Sequence, residues 1–127
     1  TRLPRLASHA GLIGVIAAEA AFRDGDAWLD AVLVQLGENR GLLGAALAAQ
    51  VPGIRWKPPQ GTYLAWLDCR QLGLGIEDPA ARFLLRGRVA LSPGPAYCSA
   101  GEGFARLNFA TDPELVEEAV RRIAAAL

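Results

Sequence analysis

The segment that most constrains the fold is residues 27–49, where apolar side chains recur every three and four positions. This spacing lines one side of an α-helix. At about 1.5 Å per residue the helix is roughly 35 Å long, which is long for a chain of 127 residues. The apolar positions are Leu29, Val32, Leu33, Leu36, Leu43 and Leu47.

Three glycines lie inside this segment, although glycine costs up to about 1 kcal/mol at a helical position. Gly37, Gly41 and Gly44 are spaced by four and three residues. The spacing predicts a close crossing with another backbone. A break in the helix near residues 37–41 is the alternative.

A first helix is predicted over residues 8–23, with Ser8 as its N-cap and a wide apolar face. The turn Asp24-Gly25-Asp26 separates it from the second helix. Two long helices are therefore expected at the start of the chain.

The remainder of the chain alternates short strand-like runs with two helical segments. Its composition and turn residues predict strands at 54–56, 62–68, 89–91 and 104–110. Asp78-Pro79 predicts the start of a short helix, and capping-box and proline signals at 111–114 predict a final helix. This order predicts an α/β (α+β) fold: a small, mostly antiparallel sheet with helices packed on one face, preceded by the two long helices. Residues 1–50 form a helical arm in this scheme, and residues 51–127 form a small α/β domain.

Charge and composition argue against several kinds of partner. The 13 basic and 13 acidic residues cancel, so neither nucleic acid nor an anionic membrane is expected. No stretch reaches the roughly 20 apolar residues of a membrane span, and a cytoplasmic location is expected. One histidine and the widely separated Cys69 and Cys98 give no metal-ligand spacing, so no metal site is expected.

The run GFARLNFAT, residues 103–111, places Arg106 inside an apolar strand. Because an unpaired buried charge is very costly, Arg106 is expected to have a partner. The partner is either a carboxylate of the same fold, such as Asp68 or Glu19, or the carboxylate of a ligand, whose two oxygens match the planar guanidinium.

Tyr63 and Trp66 are the aromatic candidates for a pocket. Being three residues apart, they are predicted on opposite faces of a strand, with one in the core and the other beside the pocket. Tyr63 is favoured for the pocket because Gly61 and Thr62 leave room beside it. Plain packing is the alternative.

Taken together, these segments resemble the C-terminal part of fold type I pyridoxal-phosphate (PLP) enzymes. They look most like the cystathionine β-lyase-like (C–S lyase) branch of the class I/II aminotransferases. The resemblance covers nearly the whole chain. It rests on SHAGLIGVIAAEAAFRDGDAWLD, NR at 39–40, PGIRWKPPQGTYLAWLDCR, RVALSPGPAYCSAGEGFARLNFAT and the closing helix.

The resemblance implies roles for five residues. Arg106 matches the arginine that binds the α-carboxylate of the amino-acid substrate, which favours the ligand over the internal carboxylate. Asn108 is its companion on the same strand face, and Tyr63 falls in the segment that approaches the substrate. Ser8 and His9 correspond to the region that reaches the PLP phosphate of the neighbouring subunit in a homodimer, although His9 fits a capping neighbour equally well.

The resemblance also implies that the chain is one piece of a longer enzyme and is inactive alone. Lys57, its single lysine, does not lie in the family's Schiff-base motif, and the chain has no methionine. The enzyme is expected to use PLP for α,β-elimination of cystathionine- or cysteine-type amino acids, with residues 1–50 as interdomain linking helices. Transamination and a stand-alone, non-catalytic binding domain are the alternatives. Tyr97-Cys98 stand where Phe-Gly is expected, which leaves the substrate open.

Overall fold

A computed structural model describes residues 11–127 of the chain. The chain divides into two compact units, the first ending at Gln35 and the second running from Leu36 to Leu127. The candidate site lies within the second unit.

The first unit contains helix α1 and the beginning of helix α2. α1 spans Leu12–Asp24 with Gly11 as its N-cap residue, and α2 spans Asp26–Gln50. Both predicted long helices are thus confirmed, while Ser8, the predicted N-cap, lies outside the described residues. α1 has no buried residue, and its large apolar side chains are exposed: Leu12, Ile13, Val15, Ile16 and Phe22.

Helix α2 is continuous across its glycines, so the alternative of a break near residues 37–41 is wrong. The predicted close crossing with another backbone is not found among residues 11–127. Among the described residues, a Cβ on Gly37 or Gly41 would meet no atom within 4 Å beyond its own helix turns, whereas one on Gly44 would lie 3.1 Å from the Trp56 ring. Gly44 makes room for an aromatic side chain, not for another backbone.

The second unit adds four short strands and two helices to the end of α2. Its strands pair antiparallel throughout, in the order β1-β2-β4-β3. In chain order the elements are β1 (Arg55–Trp56), β2 (Leu64–Asp68), α3 (Pro79–Gly87), β3 (Ser92–Pro93), β4 (Phe104–Asn108) and α4 (Pro113–Ala125).

The strand predicted at residues 89–91 is wrong. Arg88 adopts a left-handed conformation with φ of 55°, and the Val89 N–H donates to the Phe83 carbonyl at 3.0 Å. These residues therefore close the C-terminal end of α3. The third strand forms directly after them, at Ser92–Pro93, where it pairs with β4.

The starts of α3 and α4 were predicted from their aspartate and proline residues. In α3 the Asp78 carboxylate accepts the Ala81 N–H at 3.0 Å, as expected of an N-cap. In α4, Pro113 occupies the first turn, but the N-cap Asp112 makes no side-chain capping bond. The predicted capping box is therefore absent, although the helix begins where it was expected.

The sheet buries one face and leaves the other partly open. Ala65, Leu67, Ala105 and Leu107 alternate onto the buried face, where the helices cover them with Leu43, Leu47, Phe83, Val116, Val120 and Ile123. The predicted fold class, a small antiparallel sheet with helices on one face, is confirmed. No helix among residues 11–127 is long and apolar enough to cross a membrane.

Candidate functional site

The open face of the sheet carries Arg106. On this face Arg106 lies directly opposite Trp66 of β2 on one side and Ser92 of β3 on the other. Arg106 is partly buried, and Leu107 beside it points into the core. Strand alternation thus places the arginine on the face away from the helices.

No acidic group within Leu36–Leu127 lies within 4.0 Å of the Arg106 guanidinium. Asp68, one predicted partner, pairs with Arg70 at 2.8 Å instead. Glu19, the other, lies 3.7 Å from Arg23 within its own helix. The internal ion pair with Asp68 is therefore not formed, while a pair with Glu19, which belongs to the first unit, stays a prediction.

Asp68 and Arg70 are joined by several hydrogen bonds. The hydrogen bond from the Arg70 guanidinium keeps the pKa of the Asp68 carboxyl below its usual range, against the opposing effect of burial. The Arg70 Nε and backbone N–H both donate to one carboxylate oxygen, and the Arg70 Nη2 donates to the other. Both oxygens of the Asp68 carboxylate thus accept hydrogen bonds from Arg70, two residues further along the chain.

Arg106 contacts an aromatic ring in place of an acid. Its guanidinium carbon lies 4.2 Å from the centroid of the Tyr97 ring. Trp66 meets Tyr97 edge-to-face, with centroids 6.0 Å apart and planes at 79°, and stacks on Phe104 at 5.5 Å and 18°. The guanidinium of Arg70 covers Phe104 at 4.8 Å. We call Trp66, Tyr97 and Phe104 the aromatic cluster.

Asn39 of α2 anchors the chain where β4 ends. Its side-chain Nδ2 donates to the carbonyls of Phe109 at 2.9 Å and Thr111 at 2.7 Å. Asn39 is 1% exposed, so these bonds are shielded from water and contribute about 0.5–1.5 kcal/mol each. The Phe109 N–H donates to the Tyr63 carbonyl at 3.0 Å. α2, β2 and β4 are thus joined at one end of the sheet.

The other predicted substrate residues lie near that end. Asn108 is on the same face as Arg106 and opposite Leu64, and its Oδ1 accepts the Ala110 N–H at 2.8 Å. Tyr63 directly precedes β2 and is 46% exposed. The residue before it, Thr62, has a φ of 67°. Roles for Tyr63 and Asn108 in substrate binding stay predictions, and Ser8 and His9 lie outside the described residues.

The expectation that either Tyr63 or Trp66 packs in the core is wrong. Trp66 is 37% exposed and Tyr63 46%. The residues beside Trp66, Ala65 and Leu67, fill the buried face, so alternation directs Trp66 to the open face with Arg106. Tyr63 lies outside the strand, where alternation does not apply.

Sequence reasoning missed a role for Asn39 and for Tyr97. Asn39 could have been found, because it precedes Leu43 and Leu47 by four and eight residues and so shares their buried helix face. A polar residue on such a face requires hydrogen-bond partners. Tyr97 carried no comparable signal, since its position depends on the path of a loop.

Known proteins resemble this chain in sequence and in fold. No protein-family model matches the chain. A Mycobacterium leprae protein named "Putative cystathionine beta-lyase" is 43% identical over 99% of this chain, which covers 35% of that protein. The cystathionine beta-lyase PatB of Bacillus subtilis is 37% identical over 89% of this chain, which covers 29% of that protein. The chain thus spans about a third of the length of these curated relatives.

Solved structures of similar proteins share the fold. A "putative plp-dependent beta-cystathionase" from Corynebacterium diphtheriae has a TM-score of 0.89 at 38% identity, over 98% of this chain and 33% of that one. The PLP-bound C–S lyase from Staphylococcus hominis has a TM-score of 0.84 at 28% identity, over 95% of this chain and 33% of that one.

The chain is therefore homologous, over nearly its whole length, to PLP-dependent aminotransferases and C–S lyases, which confirms the resemblance predicted from its sequence. Within that class, two mycobacterial relatives that match it over 99% of its length are named "Putative cystathionine beta-lyase".

Proposed function

We propose that this chain supplies the substrate-carboxylate site of a PLP-dependent enzyme that acts on amino acids, with Arg106 as the binding residue. One observation carries the proposal. Arg106 lies on the open sheet face with no acidic partner in Leu36–Leu127. Asp68, in the neighbouring strand β2, is paired with Arg70 instead. A guanidinium with unused donors matches both oxygens of a carboxylate.

PLP would be held by residues beyond the site described here. Lys57, the single lysine, is exposed and follows β1, with β2 between that strand and Arg106 on β4. Within residues 11–127, no group of three or more His, Cys, Asp or Glu residues could hold a metal ion. Because its single lysine lies away from Arg106 in the sheet order, the chain alone is expected to be inactive. In such enzymes PLP stabilises the carbanion formed at the substrate α-carbon.

The reaction we favour is α,β-elimination at the C–S bond of a cystathionine- or cysteine-type amino acid. The supporting observation is that relatives matching 99% of this chain are named "Putative cystathionine beta-lyase". Transamination is the alternative, because an aspartate aminotransferase of Pyrococcus horikoshii is 30% identical over 94% of this chain. Both reactions require the same carboxylate contact, so Arg106 serves either.

We also propose that the enzyme is a homodimer in which residues 1–50 link a larger domain to the small domain 51–127. The exposed apolar face of α1 supports this arrangement, since exposed patches of this kind usually mark a contact surface. Leu43 and Leu47, at the end of α2, already pack in the core of the second unit. A stand-alone binding domain would leave the α1 face uncovered.

The test is the kinetics of Arg106 variants in the longer enzyme, with L-cystathionine as substrate. Arg106→Ala removes a two-pronged, charge-assisted contact in which each bond contributes about 1.5–3 kcal/mol. We expect kcat/KM to fall by about 10²- to 10⁴-fold. Arg106→Lys keeps the charge but loses the planar fork, so it should recover only part of the loss.

Arg88→Ala is the matched control, because Arg88 is an exposed arginine at the end of α3. It should leave kcat/KM nearly unchanged. A kcat/KM of Arg106→Ala within threefold of the parent's would contradict the proposed role (threefold is about 0.65 kcal/mol). A gene with no lysine-bearing domain before Thr1 would instead support the stand-alone binding domain.

A further inference from the structure

The loop between β3 and β4 brings Tyr97 to the open sheet face. Gly94 and Gly101 meet at the base of this loop, where a Cβ on either residue would collide with the carbonyl of the other. The Tyr97 N–H donates to the Gly94 carbonyl at 3.0 Å, and both glycines are buried. The loop is therefore closed tightly at its base, which fixes the point from which the Tyr97 side chain projects.

The aromatic cluster holds the Tyr97 ring from the side. The edge-to-face contact with Trp66 and the stacking of Trp66 on Phe104 are geometries that aromatic pairs favour. Trp66 and Phe104 both belong to paired strands, so the cluster stands on the rigid sheet. Tyr97 itself remains 46% exposed.

The Tyr97 ring contacts the flat face of the Arg106 guanidinium and leaves its edge free. At 4.2 Å, the ring attracts the cation through its negatively polarised face. A guanidinium donates hydrogen bonds through N–H groups at its planar edge. Tyr97 therefore contacts the face of the Arg106 guanidinium and leaves the N–H groups at its edge available to a carboxylate.

From this geometry we propose that Tyr97 is a positioning residue, which fixes the Arg106 guanidinium so that its edge meets the substrate carboxylate. The inference rests on the proposed function of Arg106. It assigns the effect to the ring and not to the hydroxyl, because the ring makes the contact. The phenylalanine expected at this place would provide the same ring.

The first experiment measures steady-state kinetics of the longer enzyme with L-cystathionine. Tyr97→Ala and Tyr97→Leu should raise KM by about 2- to 30-fold, the range that cation–π contacts contribute, with a smaller change in kcat. Tyr97→Phe keeps the ring and should match the parent. Ile76→Ala is the control for a surface substitution, because Ile76 is fully exposed and distant from Tyr97 in the sequence.

A double-mutant cycle separates positioning from general stability. If Tyr97 acts through Arg106, Tyr97→Ala should add little to the loss already caused by Arg106→Ala. Full additivity, or a KM for Tyr97→Ala equal to or below the parent's, would overturn the inference while leaving Arg106 in its role. No effect of Arg106→Ala itself would overturn the proposed function first.

A second readout uses the 127-residue chain and requires no activity. The Arg106 Nε–H resonance should be shifted upfield by the Tyr97 ring in the parent and in Tyr97→Phe. The shift should be lost in Tyr97→Ala and Tyr97→Leu, while the other arginine resonances stay in place. An Arg106 resonance that is the same in all four chains would overturn the contact and the inference with it.

Discussion

Arg70 and Arg106 each contact a ring of the aromatic cluster, yet their other neighbours give them different roles. Arg70 is bound to Asp68 by charge-assisted bonds at 2.8 Å. Arg106 has Tyr97 instead. Because Asp68, the acidic residue of β2, is bound to Arg70, Arg106 remains available to a ligand. The pairing of one arginine therefore supports the function proposed for the other.

The two cysteines provide a test at the scale of single residues. Cys69 is 2% exposed, and burial raises the pKa of its thiol to about 12, with smaller contributions from the negative charges of Asp68 and Asp78. Cys98 is exposed. Since the thiolate is the reactive form, an aromatic disulfide reagent at neutral pH should modify Cys98 and spare Cys69.

Counting the released chromophore before and after denaturation checks this prediction. One thiol per chain should react in the folded protein and the second only after unfolding. Cys98→Ser should abolish the early reaction. Rapid modification of Cys69 in the folded chain would contradict the burial described here.

The sequence predicted that Arg106 needs a partner, but the residues around it did not identify that partner. The pattern showed a charge in an apolar strand, and the resemblance indicated a ligand. The competing partner Asp68 was excluded only by its bond to Arg70, two residues further along. Tyr97 could not be placed, because a contact across a nine-residue separation depends on how the glycine-based loop closes.

At the scale of elements, helices were predicted better than short strands. Long apolar periodicity and aspartate-proline starts located α2, α3 and α4 to within a few residues. Residues 89–91 were misjudged because backbone bonding at the end of α3 outweighed their β-propensity. Glycine spacing in α2 was equally misleading, since packing around each glycine depends on distant residues such as Trp56.

Two glycines test the packing between elements. A Cβ on Gly87 of α3 would lie 2.8 Å from the Arg122 carbonyl oxygen of α4. Gly87→Ala should therefore lower the free energy of unfolding by about 1–3 kcal/mol through overpacking. Gly41→Ala, in open space on α2, should raise it by about 0.5–1 kcal/mol, because alanine is the better helix former.

Chemical denaturation of both variants measures these changes. The opposite signs form the control, since the same substitution is made in two helices. Equal changes in the free energy of unfolding for the two variants would show that helix propensity alone determines the effect of the substitution. The close approach of α3 and α4 would then be wrong.

At the scale of the whole molecule, the chain is homologous to about a third of its relatives' length. Its second unit has a complete core of its own, built from the sheet and the three helices that cover it. α1 contributes no buried residue. The second unit thus explains how Arg106 is held, while the apolar surface of α1 is consistent with the larger dimeric enzyme we propose.

If Arg106 serves a ligand and not the fold, its loss should cost the fold little, and the stability of Arg106→Ala in the 127-residue chain measures that cost. With Tyr97 as its neighbour, the loss should be no more than about 1 kcal/mol in the free energy of unfolding. Leu107→Ala, at the adjacent core position, should lose about 2–5 kcal/mol and shows that the assay detects a loss of core packing. A loss of about 3–5 kcal/mol for Arg106→Ala, the cost of breaking a buried ion pair, would instead show that Arg106 has a structural role.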